Sequence, residues 1–359
     1  MPYLKKLSIS RLRNLDSASL EPSPGFNLIV GENGSGKTSL LEAIYLLGRG
    51  KTFRSSSKAP LIQRGAEESV IFSELDDAKR LGFSRTKSGE QKSHLNGEKV
   101  AGYAELAQIL PLQMLNADAF NILEGGPGNR RSYLDWIVFH VEHSFILHWR
   151  QTQKALTNRN SLLKSKTPQI AEIKPWTHEF CQHAEMVHHY RQDYVVKLVE
   201  HLQAMLKDLL PLDNFKLSYF KGWDEAQELK ESLEQNLQKD LRYGFTSIGP
   251  HRADLKIQVG KDLAADVLSR GQQKLLVIAM KLAQAEILKQ SSNKSCLFLV
   301  DDLPAELDSL NREKVLTILA RMGGQAFVTA IEKSQLYDAL QKEKELKLFH
   351  VEHGKITAI

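Results

Sequence analysis

Eight residues, GENGSGKT at 31–38, carry the clearest chemistry in the chain. They match GxxxxGK[ST] and stand where that pattern works, after an apolar run, FNLIV, and before a helical one. Gly31, Gly34 and Gly36 let the backbone turn tightly, so that successive N–H groups, those of Glu32, Asn33 and Ser35 included, face a β-phosphate. Lys37 adds a point charge for the β and γ phosphates, and Thr38 sets a hydroxyl on Mg2+. A glycine-rich turn without a ligand is the plain alternative, and the correct flanks on both sides weigh against it.

Magnesium bound this way needs a rigid carboxylate at the end of a buried strand. CLFLVDD at 296–302 supplies one. Asp301 is placed to hold the ion, and Asp302 to orient the attacking water or accept its proton. Five apolar residues or Cys before the pair argue against a solvated loop, because buried carboxylates cost stability unless charge meets them.

VLSRGQQK at 267–274 has two readings. Ser269 with Gln272 three residues on fits a capping box. The same helix start, with Gly271, could offer N–H groups, the Ser269 hydroxyl and the dipole to a γ-phosphate. One polypeptide cannot easily bring both ends to one phosphate.

The elements that must position these groups read as follows. Leu7 and Ile9 alternate as in a half-buried strand, PSPG at 22–25 marks a turn, FNLIV is a short buried strand, and a helix runs from Thr38 to Gly48. Residues 69–100 read as hairpins with NGE as a turn. From about 130 to 210 apolar residues recur at helical spacings, with SKTPQ and IKPW interrupting them, which predicts a compact helical arm. NFKLSYF and ADLKIQV read as strands, 224–242 as a surface helix, and 269 to about 289 as a buried helix. CLFLV and QAFVTAI read as central strands joined through a helix, the grammar of a parallel α/β sheet.

The chain has 359 residues, 42% hydrophobic and 25% charged, an ordinary globular composition. No apolar run reaches the length of about 18 to 20 residues that spans a bilayer. MPYLKKLSISRL lacks the features of a signal peptide, so the expectation is a cytoplasmic protein. Cys181 and Cys296 form no CxxC pair and suggest neither a disulfide framework nor zinc. His140 and His143 in HVEH, echoed at His350 and His353, lack a third ligand and read as a helix surface and a strand edge.

Net charge is +5 and unevenly spread. Arg49, Lys51, Arg54, Lys58 and Arg64 follow Glu42 with no acid among them, and Arg150, Lys154, Arg159, Lys164 and Lys166 form a second such run. Arg130 and Arg131 open a helix, where cations oppose the dipole and an anionic neighbour or partner would explain them. His251 and Arg252 make a basic turn that could approach DNA or brace the fold. The DNA reading rests on Arg49, Lys51, Arg54, Lys58, Arg130 and Arg131, with phosphate contacts that are salt-dependent and largely blind to sequence.

GENGSGKTS, LSRGQQK, LFLVDD and AELD at 305–308 together resemble the Walker A, signature, Walker B and D-loop of ABC-type ATPase heads. With SRLRNL, LEAIYLLGRGKTFR, GGPGNRRSYLDW and GPHRADL, the chain more closely resembles the RecF family of the SMC-like ATPases. That resemblance implies an α/β P-loop ATPase lobe made from both ends, 1–115 and 245–359, with a mainly helical arm at 116–244. It implies dimerisation on ATP, with Ser269 of one subunit meeting the ATP held by Lys37 of the other, and Gln113 as a Q-loop residue sensing Mg2+. It also implies binding to gapped or junction DNA, single- and double-stranded, loading of RecA with RecO and RecR, and a part in the SOS response and replication restart. Asp302 stands where transporter ATPases use Glu, and no His occupies the switch position at Thr329 or Ala330, so a slow, switch-like ATPase is expected. Two other readings compete. A transporter subunit is disfavoured by the missing His and by the more than two hundred residues between Lys37 and Ser269; a P-loop kinase gives LSRGQQ and AELD no role.

Overall fold

The computed structural model describes residues 3–54, 60–100, 102–341 and 343–359. Two compact units emerge, one of residues 1–119 with 288–359 and one of residues 120–287.

The first unit begins with β1 (Leu4–Leu12) and β2 (Leu15–Leu20), then β3 (Phe26–Val30) and the helix Lys37–Arg49. The hairpin region follows as β4 (Glu68–Leu75), β5 (Arg80–Thr86), β6 (Gln91–Leu95) and β7 (Glu98–Lys99). Its first segment closes with β8 (Leu112–Leu115). β2-β1-β4-β5-β6-β7 form one antiparallel sheet.

The second unit contains the helices Pro127–Val141, Phe145–Leu163 and Ile170–Leu209. It also holds the three strands β9 (Phe215–Phe220), β10 (Asp254–Val259) and β11 (Asp262–Leu263), which pair in the order β11-β10-β9. Pro175 lies inside the 40-residue helix and does not end it. As the sixth residue its ring removes the backbone bond to Ala171 and crowds that carbonyl, costs that the apolar stripe Phe180, Val187, Tyr194, Leu198 and Leu202 outweighs. The surface helix read at 224–242 is two helices, Leu229–Gln235 and Leu237–Tyr243, with Asn236 ending one and capping the other. Because β10 pairs with β9, the segment after 245 stays with the helical unit, and the division falls at 287/288 rather than at 245.

The chain returns to the first unit with β12 (Leu297–Val300), β13 (Ala326–Ala330), β14 (Leu346–Glu352) and β15 (Lys355–Ala358). The second large sheet runs β15-β14-β3-β13-β12-β8, parallel throughout except at β15. β3, β12 and β13 are buried along their whole length, as unbroken apolar strands inside a parallel sheet should be. Leu40, Leu41, Ile44 and Leu47 of the helix Lys37–Arg49 share one core with Leu7 and Ile71 of the antiparallel sheet and with Leu299 and Phe327 of the parallel one. That helix is thus clamped from both sides, and its N-terminus is fixed at the edge where β3, β12 and β13 end.

Candidate nucleotide site

The loop between β3 and the helix Lys37–Arg49 owes its shape to close approaches that only glycine permits. A Cβ on Gly31 would lie 2.2 Å from the Val351 carbonyl oxygen, and one on Gly36, at φ +125°, 2.9 Å from Leu15 Cδ2. Lys37 folds back so that Nζ donates to the carbonyls of Gly31 at 2.6 Å and Glu32 at 2.9 Å. Burial lowers the pKa of this ammonium, while Asp302 and Asp301 pull against the shift. The first N–H groups of the helix have no partner within it, and the buried Ser35 hydroxyl has no hydrogen-bond partner among the described residues.

Asp301 leaves the end of β12 and its own N–H donates to the Leu115 carbonyl of β8 at 2.9 Å. Two hydroxyls converge on its Oδ1, Thr38 at 3.1 Å and Thr329 at 2.9 Å. Burial pushes the Asp301 carboxyl above the usual carboxylate range, against the hydrogen bonds from Thr329 and Thr38 and the charge of Arg54. Asp302 adopts the left-handed conformation, φ 51° and ψ 48°, and its N–H donates to Thr329 Oγ1 at 2.7 Å. These groups face a cavity of about 530 Å³, also lined by Arg13, Asn14, Arg54 and Arg64.

The loop is braced from residues that carried no predicted role. Asn14 Nδ2 donates to the Gly34 carbonyl at 2.9 Å and its Oδ1 accepts from Ser39 at 2.8 Å. Arg13 makes a two-pronged bond to the fully buried Glu42, at 2.8 and 2.9 Å, and Thr52 also donates to Glu42. SRLRNL, the segment of Arg13 and Asn14, was legible only as part of a resemblance, because nothing local marks a side chain whose partner is a buried carboxylate 29 residues away.

Lys37, Thr38, Asp301 and Asp302 are therefore gathered into one cleft, with Thr329 fully buried behind the two carboxylates. Gln113 is not. It is buried mid-strand in β8, level with Phe298, and Asp301 lies three residues further along, about 10 Å at the rise of a strand. Asn116, one residue past the end of β8, is turned to the following 3-10 turn, its Oδ1 accepting from Ala119 N–H at 3.2 Å.

In the second unit, Ser269 and Gln272 form the capping box, with Ser269 N–H donating to Gln272 Oε1 at 2.9 Å and Gln272 N–H to Ser269 Oγ at 3.4 Å. Residues 269–272 are all exposed, so the capped start of the helix Arg270–Ser292 is open to a ligand.

The basic residues separate into groups. Of the two explanations for Arg130, a neighbour or a partner, the structure supplies the neighbour: it grips Asp254 through two bonds, 2.7 and 3.0 Å, and donates to Gly125. Arg131 likewise donates to the Ala253 carbonyl at 2.8 Å, and burial lowers its pKa. Arg54 lies in the nucleotide cleft, 4.0 Å from Glu42, and not on a separate face. Arg49 is half-buried at the end of its helix and Lys51 is exposed, while Lys58 lies outside the described residues. His140 is buried against Trp136 and Phe139, not on the helix surface. Among the described residues no helix is long and apolar enough to cross a membrane.

A glycine loop, its lysine, and a strand-end carboxylate held by two threonines define a P-loop head of the ABC/SMC type. The sequence matches the family RecF/RecN/SMC N terminal domain over residues 3–357, and the chain belongs to that family. Within it the resemblance is to RecF. DNA replication and repair protein RecF of Pseudomonas entomophila (strain L48) is 42% identical over 358 residues, covering 99% of this chain and 98% of that protein. RecF of Shewanella piezotolerans (strain WP3 / JCM 13877) is 43% identical over 359 residues, covering 99% of each. A solved structure of the recombination mediator protein RecF-ATP in the RecFOR pathway has a TM-score of 0.87 at 26% identity, covering 100% of this chain and 98% of that one. The Smc head domain of Pyrococcus furiosus, at TM-score 0.61 and 18% identity over 100% of this chain and 96% of its own, shares the fold.

Proposed function

We propose that the chain is an ATP-dependent DNA-binding protein of recombinational repair that dimerises on ATP, binds gapped or junction DNA and helps load RecA with RecO and RecR. The observation that carries the nucleotide part is the convergence of Thr38 and Thr329 on Asp301 beside Lys37. Hard oxygen donors on Thr38 and Asp301 fit Mg2+, and the solved RecF-ATP relative supports ATP as the nucleotide. Bound there, Mg2+ supplies the positive charge that phosphate oxygens need during transfer. Lys37 exchanges its two carbonyl contacts for phosphate oxygens. Asp302, fixed through Thr329, orients the attacking water and takes its proton. A base one methylene shorter than Glu is consistent with slow hydrolysis used as a switch.

The exposed capping box at Ser269 supports the dimer reading, in which it meets the ATP held by Lys37 of a second chain. The DNA reading is supported by the repair proteins the chain resembles, and the cytoplasm and the SOS response fit the same picture. Sedimentation with ATP, ADP or neither tests it on the wild type, Lys37→Ala and Ser269→Arg. Dimers are expected only for the wild type with ATP, and dimers formed without regard to nucleotide would sink the mechanism.

A further inference from the structure

The turn that follows the helix Leu237–Tyr243 carries two aromatic rings in the open. Tyr243 is 55% exposed and Phe245 38%, and their rings stack at 5.9 Å between centroids and 28° between planes. Rings of this size ordinarily bury most of their surface. Cations frame the pair. The Arg242 guanidinium sits 5.8 Å from the Tyr243 ring and that of Arg252 5.2 Å from the Phe245 ring, and exposed Lys164 packs beside Gly244 between them.

The turn is also tied down from beneath. Arg159 and Asp240, both fully buried, pair at 2.8 Å beneath it, and Arg159 donates to Thr246 Oγ1 at 2.6 Å. Asn160 accepts from Thr246 N–H at 2.8 Å, and Asp240 from Ser247 N–H at 2.9 Å. Asp240 is the one carboxylate in residues 237–252, and since it is buried and paired with Arg159, this stretch exposes no carboxylate of its own.

We infer that Tyr243 and Phe245 form a stacking platform for unpaired bases of a DNA strand whose phosphates are met by Arg242, Arg252 and Lys164. The rings stand in the open with a guanidinium over each, and a single strand supplies both a base face to take a guanidinium's place on the ring and a phosphate to receive that guanidinium. The inference rests on the proposal that the protein binds DNA and assigns the single-stranded part of the substrate to this turn. It divides His251 from Arg252: the first is half-buried and bonded to Thr246, the second is exposed.

The test compares the wild type with Tyr243→Ala/Phe245→Ala on oligothymidine and on duplex DNA, with a fluorescent base analogue in the single strand. The expected result is a loss of roughly 10-fold or more in oligothymidine affinity, with the stacking quench of the analogue abolished and duplex affinity unchanged. Tyr243→Phe/Phe245→Tyr should bind as the wild type does, and Arg242→Ala should lower the salt slope by about one. Equal binding of both probes by the alanine variant overturns the inference and leaves the face to a protein partner. Failure of the wild type to bind either probe overturns the DNA reading itself.

Discussion

Thr329 does two things with one hydroxyl: it accepts from Asp302 N–H and donates to Asp301 Oδ1. Its single proton is thereby committed, which fixes the direction of the Asp301 carboxylate and the left-handed turn that presents Asp302. Thr329→Val keeps the shape and removes both bonds. Hydrolysis should fall roughly 10- to 100-fold, the usual loss when an outer partner of a metal ligand is removed, while ATP still binds through Lys37. Thr329→Ser should recover most of the rate, and a wild-type rate in Thr329→Val would void the positioning role. Lys37, Thr38, Asp301 and Asp302 were legible because each type is demanded by its own flanks, a strand end or a helix start. Thr329 was legible only as one of two positions, with Ala330, where a His is missing, for its partner lies 28 residues away. Arg130 was legible as a cation in need of an anion, but not which anion, for the carboxylate that meets it lies at 254.

At the scale of elements, the helix Ile170–Leu209 is stapled to its neighbours by two neutral histidines. His188 stacks on Tyr219 of β9 at 5.8 Å and meets Trp223 edge-on at 5.1 Å, and His251 packs edge-on against Phe180 at 5.9 Å. Burial carries both down from 6.5 to about 4, assisted at His188 by Lys221, and at His251 opposed by the Thr246 hydrogen bond. The unfolded chain protonates them near 6.5, so stability is complete above that pH and declines as pH falls towards 4. His251 alone should cost on the order of 1–2 kcal/mol by about pH 5. Melting curves at stepped pH would show this, with His188→Phe flattening the decline; an identical profile for the variant would refute the stapling. The helix itself was legible from its spacing, but its continuity through Pro175 was not, since the burial of the long apolar stripe that outweighs the proline is set by residues distant in the chain. Nor could the sequence show that β10 pairs with β9, which moves residues 245–287 into the helical unit.

For the whole molecule, the decisive fact is that Lys37 and Ser269 belong to different compact units of one chain. If ATP were bound by the P-loop alone, it would stabilise each chain by mass action, by about 2.7 kcal/mol at ATP a hundredfold above Kd, whatever the protein concentration. If a second chain contributes Ser269, the stabilisation must also rise with protein concentration, because association and nucleotide binding are then one linked equilibrium. The melting temperature of the wild type should therefore climb with ATP and climb again as protein is concentrated. Ser269→Arg, which fills the open helix start with a bulky cation, should keep the first shift and lose the second; Lys37→Ala should lose both. Persistence of the concentration effect in Ser269→Arg would show that the chains associate through some other surface, and the capped helix start at Ser269 would then serve only its own fold.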